Sequence, residues 1–308
     1  MNHSSIRSTL NSNKLILAGA LIFILLCIMY FYEASPRRHS VLIHDLGQTR
    51  TWLESQSWSH KQLKALPSYL QDAVHNHALL QDDGYVEIFG KYSVYYREVK
   101  PGKSRPIVGG VVFLHGEHYT SQRWMEMGTL HLVANMGLRA IAVDLPGNGH
   151  TLPLSLARTT DVARFMGTLF TVLKLDRPVL VSPSTSNNYS LPVVFEEVQI
   201  LAGFVCISPN DKGLHDAGQL HDKQIPTLLI YDGNKLETNH SVSSLRHLPN
   251  SRAFYLGHRD DSNVGLPTNH RRSSFHDGIF VHKQEFHYLL YNFLQLVVKN
   301  ITDHRGLS

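Results

Sequence analysis

The sequence predicts an α/β protein, built on a doubly wound, mostly parallel sheet. Three observations predict it. Short, almost wholly apolar runs alternate with stretches of helical spacing between residues 111 and 298. Strands without polar alternation are covered on both faces, as in a parallel sheet wrapped by helices. The chain is also long enough to bury a large core, with 308 residues of which 43% are hydrophobic and 18% charged, and it is too apolar for disorder. Thirdly, clusters of small residues follow several of the apolar runs, at the carboxyl ends where such a sheet binds and reacts.

In chain order, Leu15 to Tyr32 reads LILAGALIFILLCIMYFY, 18 residues without a charge. At ~1.5 Å per residue it reaches ~27 Å, close to the ~30 Å of a bilayer core. A cleaved signal peptide would have a shorter apolar region and a small-x-small site, and the YEASPRR that follows is a poor match. We therefore expect a tail at 1–14, a transmembrane anchor at 15–32, and a single-pass protein held in the membrane, of type II. Arg7 and Lys14 before the segment balance Arg37 and Arg38 after it, so charge does not decide the side, and a cytoplasmic catalytic domain is the alternative. After the segment, sequons begin at Asn188, Asn239 and Asn300, usable only in a lumenal domain.

Residues 33–80 read as a juxtamembrane linker with short helices: Leu63, Leu66, Leu70 and Val74 have helical spacing, interrupted by Pro67. The folded domain is expected over 81–303. YVEIFG and YSVYYREV alternate like half-buried strands around Gly90-Lys91. Strands are then expected at Val111–Leu114, Ala140–Val143, Val179–Val181, Phe204–Ile207, Thr227–Ile230 and Ala253–Leu256. Helices are expected at Ser121–Asn135, Thr159–Leu173, Asn187–Glu197, Val242–Leu248 and Gln284–Val298. Right-handed crossovers make the arrangement doubly wound.

Three strand ends carry chemistry. PVLVSPSTSNNYSLP is a buried strand, a turn of small residues and a helix, with Ser184 at its apex between Ser182 and Ser186. This is the G-x-S-x-G nucleophile elbow with serine in place of both glycines; the strained turn demands small residues, and serine is the smallest polar choice. A polar loop closing a strand is the plain alternative. In VVFLHGEHYTS, His115-Gly116 ends a strand at the position of a first oxyanion loop, so Glu117 N–H and Thr185 N–H are the candidate oxyanion donors. His115 itself is expected to be structural. In AIAVDLPGNGH, Asp144 is expected to form a turn rather than act as a catalytic acid.

Together GTLHLVANMGLRAIAVDLPGNGH, VLVSPSTSNNYSLP, GFVCISP and LRHLPN resemble the α/β-hydrolase domain-containing protein 14 family over roughly residues 92 to 299. The N-terminal segment matches its membrane-anchored A type. The resemblance implies an α/β-hydrolase fold with a Ser-Asp-His triad. It also implies, through the family's B type, acyl hydrolysis and transfer of acetyl groups from lysine to coenzyme A; coenzyme A as acyl acceptor rests on that analogy alone. The chain departs from the family pattern in three places. Asn187 stands where a glycine is usual. The family's acid position falls near Lys235, which leaves Asp232 at the strand end as the nearest carboxylate, with Glu237 and Asp211 as alternatives. The family's histidine turn is replaced by AFYLGHRDD and a polar stretch before SSFHDGIFVHKQEFH. Counting back from His282-Lys283 favours His276, and counting forward from the strand favours His258.

The expected function is a serine hydrolase-like enzyme acting on small acyl esters, thioesters or amides. Ser184 attacks, His276 (or His258) moves the proton, and Asp232 orients the imidazole. Only residues 211–225 are available where larger hydrolases insert a lid, so an open pocket is expected. The alternative is a catalytically impaired hydrolase domain that binds a protein partner at the membrane, motivated by the altered acid and displaced histidine. Other classes find little support. Net charge is +4 without a dense basic stripe, so no nucleic acid is expected. No G-x-G-x-x-G follows a strand, and His282 and His287 are five apart, not the four of a helical zinc motif, so neither a dinucleotide nor a metal is expected. Cys27 and Cys206 do not suggest a disulfide framework.

Overall fold

Eight strands form one sheet in the order β1-β2-β4-β3-β5-β6-β7-β8 in the computed structural model, which describes residues 58, 61–71, 75–76, 78–209, 220–232, 244–256 and 278–305. β1 (Leu80–Ile88) and β2 (Tyr92–Lys100) are an antiparallel hairpin. Its turn places Phe89 at φ 56° and Gly90 at φ 63°, the positive φ values whose twist suits a tight hairpin. β2 also runs antiparallel to β4 (Leu138–Val143). All remaining pairs are parallel, through β3 (Gly109–Phe113), β5 (Val179–Pro183), β6 (Gly203–Ile207), β7 (Thr227–Asp232) and β8 (Ser251–Leu256).

The six apolar runs expected to be strands all are, each longer by one or two residues, although β3 stops at Phe113, one residue short of the expected Leu114. The reason is burial: every residue of β6, for example, is buried. Gly203 opens that strand, and a Cβ there would lie 3.0 Å from the Phe293 ring, so its absence lets the C-terminal helix approach.

The helices are α1 (Ser68–Gln71), α2 (Gln122–Glu126), α3 (Thr129–Asn135), α4 (Thr159–Val172), α5 (Asn187–Glu196), α6 (Gly278–Val281) and α7 (Lys283–Arg305). The single helix expected over Ser121–Asn135 is two, because Gly128 adopts φ 73° and breaks it. A glycine inside a helical pattern leaves the apolar spacing intact, so periodicity does not reveal the break. Of the helix expected at Val242–Leu248, the described part is a 3-10 turn at Ser244–His247.

One core cluster joins Val112, Ile141 and Leu180 of the sheet to Phe165 and Leu169 of α4 and Leu191 and Val194 of α5. Trp58, Lys61 and Lys64, within the stretch expected to be linker, contact β8 and α7. Trp58 is fully buried, meets Phe293 edge-on at 5.2 Å, and donates its backbone N–H to Asn250 Oδ1 at 2.7 Å. Asn292 accepts from Lys64 N–H and donates back to the Lys64 carbonyl. Among the described residues no helix is long and apolar enough to cross a membrane, and the expected anchor at 15–32 lies outside the described residues.

Candidate active site

A pocket opens at the carboxyl edge of the sheet. Its walls come from the ends of β3, β5, β6, β7 and β8 and from α2 and α6, the location that a doubly wound sheet favours for ligands. Its lining is largely apolar, with Trp124, Ile207, Ile230, Leu256 and Ile279 beside Ser184, Ser208 and His115.

Ser184 follows β5 and starts the 3-10 turn Ser184–Ser186 that runs into α5. Its φ is 50°. A non-glycine residue in the left-handed region carries roughly 1–3 kcal/mol of strain and persists only where its surroundings enforce it. The enforcing contacts are hydrogen bonds beneath the turn. Ser182 Oγ lies 3.0 Å from both Ser186 Oγ and Asn187 Oδ1, and Ser190 donates to Ser182 Oγ at 2.8 Å. Ser186 donates to the Pro183 carbonyl at 2.7 Å, and Cys206 Sγ donates to Asn187 Oδ1 at 3.3 Å. Ser182, Ser186, Asn187 and Ser190 are all buried. Asn187 Nδ2 has no partner among the described residues. The two serines standing for glycine therefore fill the turn with hydrogen-bonded atoms. Ser184, 5% exposed, lines the pocket, and no described residue hydrogen-bonds its hydroxyl.

His115 is the one histidine among the described lining residues. Its Nε2 accepts from Leu145 N–H at 2.9 Å, so the proton sits on Nδ1, which donates to the Gly116 carbonyl at 2.8 Å. Burial pushes its pKa down, against smaller opposing effects of the Gly116 carbonyl and Asp144. A neutral imidazole with both nitrogens engaged is a structural tie between β3 and the turn after β4, not a base.

Asp144 is likewise a turn-former. It is buried, Oδ1 accepts from Ser121 N–H at 2.7 Å, and Oδ2 accepts from His150 N–H at 2.9 Å. Burial alone would raise its pKa, but these hydrogen bonds from His150 and Ser121 outweigh it and hold the carboxyl below its ordinary range. Gly149, at φ 52°, leaves room for that carboxylate, because a Cβ would collide with Oδ2.

Thr185 is the second residue of the 3-10 turn, where the first N–H groups of a helix have no internal acceptor. Glu117 is exposed, and its N–H meets no backbone acceptor among the described residues. Asp232 is the last residue of β7 and pairs in register with Leu256, a pocket residue; its side chain is outside the description. His276, His258, Glu237 and Asp211 also lie outside the described residues. Leu256 and Ile279 both line the pocket, and the stretch of sequence between them contains both histidines.

Sequence reasoning did not single out Tyr119, Arg123, Ser208 or Phe280, all of which line the pocket. Ser208 carries a partial signal, being a small polar residue just past β6; it has φ 48° and donates its N–H to the Ile230 carbonyl at 2.7 Å. Among the described residues no cluster of three His, Cys, Asp or Glu could hold a metal.

No family model matches the chain. It is similar to the rat (Rattus norvegicus) protein ABHD14A, 37% identical over 170 residues that make up 54% of this chain and 69% of that protein. It is 31% identical over 196 residues to a rat protein named "Putative protein-lysine deacylase ABHD14B", covering 60% of this chain and 93% of that one. Among solved structures, a predicted CIB-like hydrolase from Thermoplasma acidophilum superposes with a TM-score of 0.55 at 16% identity, over 70% of this chain and 98% of that one. At that identity the likeness shows the α/β-hydrolase fold.

Proposed function

The chain belongs to the ABHD14 family of α/β-hydrolases, and from that premise we propose that it is a serine hydrolase of small acyl esters, thioesters or amides with Ser184 as nucleophile. The observation that carries the proposal is the backbone of Ser184: a left-handed serine at a strand-to-helix turn, lining a pocket at the carboxyl edge of the sheet. That strain projects a side chain out of the sheet edge and aligns it for attack. The named activity of the ABHD14B relative, protein-lysine deacylation, is chemistry of the same class.

In the proposed cycle the Ser184 hydroxyl attacks the acyl carbonyl while an imidazole takes its proton. His115 is committed elsewhere, so the base comes from the segment between Leu256 and Ile279. His276 is first choice and His258 second. Asp232, at the end of β7, orients the imidazole and stabilises its charged form, with Glu237 and Asp211 as alternatives. Thr185 and Glu117 N–H groups receive the oxyanion, each worth ~3 kcal/mol of transition-state stabilisation. The imidazole then protonates the leaving group, and water repeats the sequence to release the acid.

We further propose the membrane-anchored A type, held through residues 15–32 in type II orientation. Retention of the full chain in the membrane pellet after alkaline carbonate washing, lost when residues 1–32 are removed, is the expected outcome; release of the full chain would overturn it.

The enzymatic reading is tested by hydrolysis of 4-nitrophenyl acetate. Ser184→Ala is expected to lower kcat by at least ~10⁴-fold, the scale of a lost nucleophile. Equal turnover by the two proteins sinks the assignment. Absence of turnover in both favours a domain that binds a partner without catalysis.

A further inference from the structure

The pocket holds one permanently charged side chain among its described lining residues, Arg123 of α2, and no carboxylate. Its setting differs from that of an ordinary surface arginine. The guanidinium lies 4.2 Å from the centre of the Phe280 ring and 5.7 Å from that of Tyr119, and those two rings meet each other at 5.1 Å. Phe280 comes from α6 and Tyr119 from the loop after β3, so two distant parts of the chain hold the cation in place at the pocket.

Among the described residues, the hydrogen-bonding capacity of this group is largely unused, and its buried Nε has no partner there. Its hydrogen bond among the described residues is a long 3.4 Å contact from Nη1 to Glu126 Oε2, between side chains 39% and 49% exposed. Such an exposed i,i+3 pair adds little and yields readily to a better acceptor. A guanidinium presents a planar fork of donors that matches a carboxylate, and stacking on rings leaves that fork pre-organised. An apolar pocket with one oriented polar group selects a ligand whose charge falls at that group.

Resting on the proposed Ser184 chemistry, we propose that Arg123 is a specificity residue for acyl groups that end in a carboxylate, such as half-esters and half-amides of short dicarboxylic acids. The apolar walls hold the methylene chain, Ser184 receives the ester carbonyl, and Arg123 pairs with the distal carboxylate. Arg123 takes no part in bond making.

The test compares 4-nitrophenyl monoadipate with its neutral methyl diester on the full chain. Wild type is expected to favour the anionic ester in kcat/KM. Arg123→Met, which keeps an apolar stem against Phe280 and Tyr119, is expected to reduce the anionic-to-neutral ratio about tenfold, the lower range for a hydrogen bond to a charged group. Arg123→Lys, which keeps the charge without the fork, should fall between the two. A ratio unchanged in Arg123→Met overturns the inference while leaving the hydrolase reading intact. If neither ester is hydrolysed, the hydrolase reading fails, and calorimetric titration with monomethyl adipate decides the inference separately. Binding by wild type that weakens about tenfold in Arg123→Met supports the carboxylate site; equal binding or none overturns it.

Discussion

The turn after β4 and the turn after β5 both redirect the chain at the carboxyl edge of the sheet, and each handles its crowding differently. After β4 the space is made by omission: Gly149 lacks a Cβ where the Asp144 carboxylate must sit, and that buried charge ties Ser121 and His150 to the turn. After β5 the space is filled: Ser182 and Ser186 occupy the places where small glycines would suit the elbow, and they interlock with Asn187 and Ser190. The first turn depends on charge and on one missing atom. The second depends on several neutral hydrogen bonds, none of which dominates. The contrast teaches that a glycine pattern can be replaced where the added atoms hydrogen-bond one another, and not where they would meet a buried carboxylate.

The largest expected effect therefore lies at Gly149. Gly149→Ala combines a positive φ with a collision against Asp144 and should destabilise the fold by about 3 kcal/mol or more in urea unfolding; a loss under ~1 kcal/mol would break the comparison. Asp144→Asn comes next, at about 2–3 kcal/mol, because an amide cannot accept both N–H groups with both of its polar atoms.

The pH dependence separates the two turns further. The Asp144 carboxyl titrates below its ordinary value when folded, so its contribution is present above about pH 4 and is lost as pH falls through the folded value. His287 acts at higher pH. Burial, with a smaller effect of Lys283, pushes it down to about 3, and its Nε2 lies 2.9 Å from Thr129 Oγ1. A histidine neutral when folded and protonated when unfolded lowers stability as pH falls from about 6.5 toward 3, by up to ~1.4 kcal/mol per pH unit. His287→Gln should flatten the profile between pH 6 and 4, and Asp144→Asn should flatten it below pH 4. No substitution among the elbow serines should change either slope.

Smaller effects belong to the elbow. Ser182→Ala removes the acceptor of Ser190 and a donor to Asn187, and about 1–2 kcal/mol should be lost. Asn187→Ala should also lose about 1–2 kcal/mol, since it removes the Oδ1 that accepts from Ser182 and Cys206 along with an amide nitrogen that has no partner among the described residues. A loss above 3 kcal/mol at Asn187 would mean that one residue dominates the elbow after all.

Much of the architecture was legible because burial writes itself into continuous apolar runs, from Val111–Leu114 to Ala253–Leu256. The break at Gly128 was not, since the two short helices share one apolar spacing. At the site, the place of Ser184 at a strand-to-helix turn was legible from small residues after a buried strand, and the structural ties of His115 and Asp144 from their places at strand ends. Arg123, Tyr119 and Phe280 were not, because α2, the loop after β3 and α6 converge only in three dimensions and leave no spacing to read. The runner-up reading, a hydrolase domain without catalysis, arose from the altered acid position and is decided by chemistry at Ser184.

The most direct test of the central claim is mass mapping of the protein after reaction with a fluorophosphonate. A single phosphonyl adduct on Ser184, absent from Ser184→Ala, is the predicted result. Adduct on another residue, or equal labelling of the folded wild type and variant, would contradict the account.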